Sequence, residues 1–147
     1  MMGKPAARLG DKVAHPLPGV LLPGPGSPDV KIGGLPAWRG LPAGASLPEP
    51  PPAPEPEEGQ TEEEAGAAQQ AAAEEAMLAA GGGADIHACA QPSSPVTVDG
   101  PGFVITGSTT VMINGLPACR QGDTIQEILA PAPNTIMMGC PTVQIGG

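Results

Sequence analysis

The chain has 147 residues, of which 22 are glycine and 21 proline, with one Trp, one Phe and no Tyr. So little aromatic bulk excludes a wide hydrophobic core and leaves either a disordered chain or a fold of short strands and tight turns. The net charge of −9 is local: nine of the 15 acids fall between Glu49 and Glu75, and the other six balance the six Lys and Arg. No basic patch is left to neutralise phosphates, so nucleic acid is not an expected partner.

No run approaches the roughly 20 apolar residues of a membrane span. The N-terminus opens on charge and Pro-Ala-Ala-Arg, not on a signal-peptide pattern. Three cysteines, an odd count, do not make a disulfide framework. The expected setting at synthesis is the cytosol.

In chain order the first element is GKPAARLGD at 3–11. Next comes GSPDVKIGGLPAWRG from 26, a short alternating strand, Val30-Lys31-Ile32, followed by a Gly-Gly turn and then Pro-Ala-Trp-Arg. Residues 41–84 then interrupt the pattern. LPAGASLPEPPPAPEPEEGQ is Pro-rich and reads as extended and solvated. TEEEAGAAQQAAAEEAMLAA reads as helix, with Thr61 and Glu64 as a capping box, acids in the first turn and GGG at 81–83 as the stop. Its apolar positions are nearly all Ala, so it has little to bury, and an isolated helix of this length is marginal. The insertion therefore reads as a mobile surface segment or, alternatively, as a docking arm for a partner.

Beyond the insertion the pattern resumes. GSTTVMINGLPACRQGD from 107 and GCPTVQIGG from 139 repeat the strand as Val111-Met112-Ile113 and Val143-Gln144-Ile145, each followed by a hairpin-turn pair. Val and Ile fall on one face and Lys31, Met112 and Gln144 on the other. Three units of this kind imply stacked or rotationally arranged modules with internal pseudo-threefold symmetry, each unable to bury its apolar face alone. The expected fold is all-β, a small repeat from 1–40 and 85–147, with the 41–84 segment set outside it.

The stretches KPAARLGDKVAHP, SPDVKIGGLPAWR and STTVMINGLPACRQGD closely resemble the PAAR-repeat family, over residues 3–40 and 85–147. The resemblance implies a small β cone with a zinc ion near its point. It implies a role as the sharpened tip of a contractile injection machine, chiefly the type VI secretion system. The implied partner is a trimeric VgrG-like spike protein, with one tip per trimer. The same tip could belong to a phage or prophage tail. The implied location is the bacterial cytoplasm until loading, then secretion, with transient contact with a target membrane. The chain leaves no room for a fused toxin, so any effector or adaptor would bind non-covalently, for instance through the insertion.

The repeat puts Asp11, Asp85 and Asp123 in register, and four residues after each come His15, Cys89 and Glu127. His87 precedes Cys89 by two. Both histidines of the chain fall in this register, and thiolate with imidazole suits tetrahedral Zn²⁺. His15, His87 and Cys89 are the expected ligands of a structural zinc. Family members tend to use three His and one Cys, with a His expected before the Gly-Pro-Gly that here follows Asp99. Asp99 is therefore the first choice as fourth ligand, against an ordinary Asp-Gly turn; Glu127 and a water are the runners-up.

Cys119 and Cys140 replace small residues of the repeat and read as small buried side chains. Arg8, Arg39 and Arg120 recur with the motif and are expected to bond backbone carbonyls or the Asp of a neighbouring unit. A small zinc hydrolase would need an open metal position and a base such as Asp99 or Glu127. The chain offers no pocket-forming layer and few aromatics to hold a substrate, so no enzymatic activity is expected.

Overall fold

A computed structural model describes residues 3–14, 19–42, 45, 47–50, 55–92, 98–130 and 132–147; within these, the side chains of residues 23, 89–92, 98 and 99 are not described. The elements are β1 (Lys4–Ala6), β2 (Lys12–Ala14), β3 (Gly19–Val20), β4 (Pro23–Gly24), β5 (Lys31–Ile32), β6 (Leu35–Pro36), α1 (Glu62–Ala80), β7 (Ile86–Pro92), β8 (Val98–Val104), β9 (Met112–Ile113), β10 (Leu116–Pro117), β11 (Thr124–Glu127), β12 (Asn134–Ile136) and β13 (Cys140–Ile145). Among the described residues the fold is mostly β with one helix, the second of the two alternatives that the composition left open.

Two of the three repeated strands form the hairpins that the turn residues demand. β5 pairs with β6 across Gly33-Gly34, and β9 pairs with β10 across Asn114-Gly115. All four turn residues have positive φ, between 55° and 83°, the region that two-residue hairpin turns require. The third repeat closes differently. Its strand, β13, pairs antiparallel with β1, matching Lys4 to Ile145 and Pro5 to Gln144. The two ends of the described chain thus make the third hairpin, and Gly146-Gly147 stand where the other repeats have their turns.

The Pro-Ala-x-Arg segments meet around a common axis. Trp38 N donates to Ala7 O (3.0 Å), Ala7 N to Cys119 O (2.9 Å) and Cys119 N to Trp38 O (3.1 Å), a closed ring of three backbone bonds. The bridges Ala6 with Arg120, Arg8 with Ala37 and Arg39 with Ala118 repeat the same cycle. Alternation along each segment sends its two central positions into different layers. Ala6, Ala37 and Ala118 pack with Ile32, Ile113, Ile145 and Cys140 beneath the hairpins. Ala7, Trp38 and Cys119 pack with Val13, Leu21, Val104, Ile125 and Ile136. Ala at the first position lets three backbones converge; at the second, Trp38 supplies the bulk that Ala7 and Cys119 leave unfilled.

On the far side of that layer the strands form a seven-stranded antiparallel sheet in the order β3-β2-β12-β11-β8-β7-β4. Its two outermost members, β3 and β4, are separated by only Leu21 and Leu22. The run 19–24 therefore pairs with β2 at one end and with β7 at the other, so the sheet is nearly closed as a ring of six. Closure removes the open edges that would otherwise recruit other strands.

The insertion lies between Arg39 and Asp85, and its helix is docked on the ring. Thr61 and Glu64 form the capping box, and Gly81 caps the other end. Ala73 and Met77 pack on Phe103 of β8 together with Leu41, Ala84 and Ile128. The Ala-rich sequence hides this contact because the helix buries one large side chain, Met77, and offers otherwise small ones. Gly81 fits there by size: a Cβ would stand 2.5 Å from Phe103 Cζ.

Candidate functional site

Each recurring arginine grips an aspartate in one geometry. The Arg8 backbone N and Nε donate to Asp11 Oδ2 at 2.8 and 3.0 Å, and Nη2 donates to Oδ1 at 2.8 Å. Arg39 with Asp85 gives 2.8, 3.0 and 2.9 Å. Arg120 with Asp123 gives 2.8, 3.1 and 2.9 Å. These are bidentate, charge-assisted pairs, the strong kind. The hydrogen bonds to Asp11 and Asp85 raise the already high pKa values of Arg8 and Arg39. The aspartate belongs to the arginine's own repeat, not to a neighbouring one as the sequence reading allowed.

The neighbouring unit is reached by the remaining guanidinium nitrogens. Arg39 Nη1 donates to Asn114 Oδ1 (3.3 Å) and Arg120 Nη1 to Gly146 O (3.0 Å). A Cβ on Gly33 would stand 2.9 Å from Arg8 Nη1 and 3.2 Å from Cys140 Sγ. Arg39 and Arg120 therefore tie their own aspartates to the turn of the next hairpin, and Arg8 lies against Gly33 in the corresponding place. The Ser/Cys positions follow the same cycle: Ser27 Oγ donates to Asn114 Oδ1 (2.6 Å) and Ser108 Oγ to Gly146 O (2.6 Å). Cys119 and Cys140 are buried with free thiols, in keeping with their reading as small interior residues.

A second polar cluster lies inside the ring, past the apolar layer. Along β11, Glu127 follows Ile125 by two residues, and along β12, Asn134 precedes Ile136 by two, so both share the inward face with that layer. His87 of β7 and Glu127 of β11 both pair with Gly102 of β8, from opposite sides. His87 is 1% exposed and Glu127 is wholly buried. His87 Nε2 stands 3.6 Å from Glu127 Oε1. Asn134 Nδ2 reaches both oxygens of Glu127, at 2.9 and 2.8 Å. Gly102 makes room for the meeting, since a Cβ there would stand 2.9 Å from Glu127 Cγ.

Of the expected ligands, His87 is placed in this cluster. His15 lies outside the described residues, as do the side chains of Cys89 and Asp99; the Cys89 backbone pairs with Gly100, two residues along from the His87–Gly102 pair. Among the described residues no group of three or more His, Cys, Asp or Glu gathers as a metal site. A buried imidazole beside a buried carboxylate nevertheless fits a zinc ion by the chemistry of its donors. Sequence reasoning ranked Glu127 behind Asp99 and did not single out Asn134 or Gly102. Glu127 carried a signal, its register with His15 and Cys89; Asn134 carried none, because its role depends on which strand lies beside β11.

At the opposite end the hairpins present a broad face. Lys31, Leu35, Met112 and Gln144 are exposed there, while Ile32, Ile113 and Ile145 point into the core. The expected alternation holds for the three isoleucines; Val111 is the exception, at 36% exposure. No helix among the described residues is long and apolar enough to cross a membrane.

No curated protein matches the chain. The family model described as PAAR motif matches residues 96–147, which hold β8 to β13 and two of the three repeated strands, β9 and β13. Residues 96–147 are thus similar to the PAAR motif, and the threefold cycle of backbone bonds and Arg–Asp grips repeats the same pattern through the rest of the β fold.

Proposed function

We propose that the protein is a metal-stabilised tip that caps and sharpens a trimeric VgrG-like spike of a type VI secretion system, aiding membrane puncture and effector delivery. The observation that carries this reading is the closed cycle Ala7–Cys119–Trp38. It gives one chain three near-equivalent faces, and a monomer with internal threefold symmetry can cap a true threefold partner. The three hairpins supply a broad face for that partner, while the closed ring on the other side needs no strand partner of its own.

A narrow tip has little volume for an apolar core, so a closed structural metal is a physical substitute. His15, His87 and Cys89 are the proposed zinc ligands, with a carboxylate completing the set. The metal would hold strands together where the core gives way to polar residues; the reading assigns it no chemistry. The insertion, docked by α1 on one flank, marks one of the three faces and is a candidate contact for an effector or adaptor.

Co-expression with the cognate spike tests the proposal. One copy of this chain per spike trimer in the purified complex is the expected result. Three copies per trimer, or no complex, would overturn it.

A further inference from the structure

We infer that Asn114 is a deamidation site that the neighbouring hairpin holds closed. Ser27, Asp29 and Arg39 grip its side-chain amide and keep it from cyclising onto the Gly115 nitrogen.

The chemistry is local to the pair. Asn114 is followed by glycine, whereas the other asparagine of the chain, Asn134, is followed by the β-branched Thr135. Having no Cβ, Gly115 leaves its backbone nitrogen open to approach. That nitrogen attacks Asn114 Cγ. The N–Cγ bond forms, the Cγ–Nδ2 bond breaks, and ammonia leaves with the proton of the Gly115 amide. Water then opens the cyclic imide at either carbonyl and gives aspartate or isoaspartate. Asn114 and Gly115 are both exposed, so water reaches the turn.

In the fold both ends of the amide are occupied. Nδ2 donates to Asp29 Oδ1 at 2.7 Å. Oδ1 accepts from Ser27 Oγ at 2.6 Å and from Arg39 Nη1 at 3.3 Å. All three partners belong to the repeat of β5 and β6, and Arg39 is itself fixed by its grip on Asp85. The Asn114 side chain cannot swing its carbonyl carbon over Gly115 without parting from them.

The next junction shows what the amide replaces. There Ser108 Oγ and Arg120 Nη1 bond Gly146 O at 2.6 and 3.0 Å. Ser27 and Arg39 find the side-chain oxygen of Asn114 in the place of that backbone carbonyl. Of these two ties between repeats, this one hangs on a group that hydrolyses.

The product fits poorly. An aspartate at 114 sets a carboxylate against Asp29 where a donor stood, and like charges in contact disfavour ionisation of both. Isoaspartate lengthens the backbone of a two-residue turn that fixes the β9–β10 register. Deamidation therefore loosens the tie between the two hairpins, and refolding does not restore it.

The full-length chain is held in mildly alkaline buffer, folded or in denaturing urea. Conversion of Asn114 is followed by peptide mapping with mass spectrometry. In urea Asn114 should convert while Asn134 stays intact. In the folded chain conversion should be slower by on the order of tenfold or more, because local opening must come first. Asp29→Ala and Ser27→Ala should bring the folded rate towards the urea rate and leave the urea rate unchanged. Equal rates in the folded and denatured chain would overturn the lock. Folded variants that react as slowly as the unaltered chain would show that these side chains are not what holds Asn114. No conversion in urea would end the reading of Asn114 as a modification site. Should Asp29→Ala fail to fold, Ser27→Ala, which removes a hydroxyl alone, decides. Asn114→Asp tests the product: it should be less stable than the unaltered chain at neutral pH, with the deficit shrinking as acid protonates the pair. Equal stability would overturn the claim that deamidation loosens the junction.

Discussion

Arg39 and Asp85 are 46 residues apart in sequence, yet they make the same three-bond grip that Arg8 makes with Asp11 and Arg120 with Asp123 across three residues. The insertion is thus spliced into a two-residue turn whose other copies read Leu9-Gly10 and Gln121-Gly122. Whatever the insertion does, the grip brings its two ends together as the short turn would. Loop closure depends only weakly on length, by about 0.6 kcal/mol per doubling, so the grip need not be stronger here than elsewhere.

In the Arg39–Asp85 pair the carboxylate is wholly inaccessible and the guanidinium is mostly buried. Asp85→Asn keeps the shape and removes the charge, leaving the Arg39 guanidinium unpaired. Breaking a buried pair in this way costs about 3–5 kcal/mol. Chemical denaturation should show that loss for Asp85→Asn and a smaller one for Asp11→Asn, since Arg8 is more exposed than Arg39. Equal losses would mean that burial does not set the strength of the grip.

The hairpins were legible because their chemistry is local: Val-x-Ile followed by Gly-Gly or Asn-Gly leaves few alternatives. The helix was legible from Thr61, Glu64 and the terminal glycines. The partner of β13 was not, because it lies at the other end of the sequence and carries no strand signal beyond Lys4-Pro5-Ala6. At the interior cluster His87 could be named from composition alone, as one of two histidines. That Glu127 and Asn134 meet beside His87 follows from the strand order β12-β11-β8-β7, which no local pattern encodes. The docking of α1 was hidden for a similar reason, since Met77 finds Phe103 only after the ring has formed.

That docking gives a second prediction. Met77→Ala removes the one large side chain that α1 buries on the ring, at about 2–5 kcal/mol if the site does not collapse. Gly81→Ala drives a methyl into Phe103 and should cost about 1–3 kcal/mol as overpacking. Limited proteolysis should then cut within 55–83 faster in both variants, while the β-rich fragments survive. Deleting 45–83 through a short Gly linker should keep the β fold. Loss of the fold on deletion would show that α1 is part of the core.

The two buried thiols stand in different surroundings. Burial pushes the Cys119 thiol well up from its ordinary value, whereas the hydrogen bond with Thr142 lowers that of Cys140. The thiolate is the reactive form. Alkylation at neutral pH followed by peptide mapping should find Cys140 modified before Cys119. Thr142→Val should slow Cys140 without changing Cys119. Simultaneous modification would indicate that global unfolding exposes both.

Asp29 supplies a pH test. The Asn114 amide donates to its Oδ1 at 2.7 Å, and with Ser27 holds the carboxyl below its ordinary value of 3.8. A carboxyl depressed in the folded state adds stability above its unfolded pKa and loses it as pH falls through the folded value. Asn114→Gly keeps the positive φ of the turn, as Gly33 does, and removes the bond. The stability gap between the two proteins should be constant near neutrality and should narrow below about pH 4. A gap that persists unchanged at pH 2 would mean that the turn, not the carboxylate, accounts for it.

The broad face makes the last prediction. Without its insertion the chain is electrically balanced, and the exposed hairpin residues Leu35, Val111 and Met112 are apolar. Association with a spike trimer should then rest on shape, apolar contact and backbone pairing at the hairpin edges. Salt screens exposed charges within about 10 Å at 0.1 M, so an interface of this kind should hold nearly equal affinity at low and high salt. Met112→Glu places a charge on that face at a half-exposed site where it should change stability by no more than about 0.5 kcal/mol. It should nevertheless weaken spike binding measurably, and Glu75→Gln on the helix should not. Titration calorimetry with the cognate spike at two ionic strengths reads all three. Binding that vanishes at moderate salt, or a Met112→Glu variant that binds normally, would move the docking surface away from the hairpins.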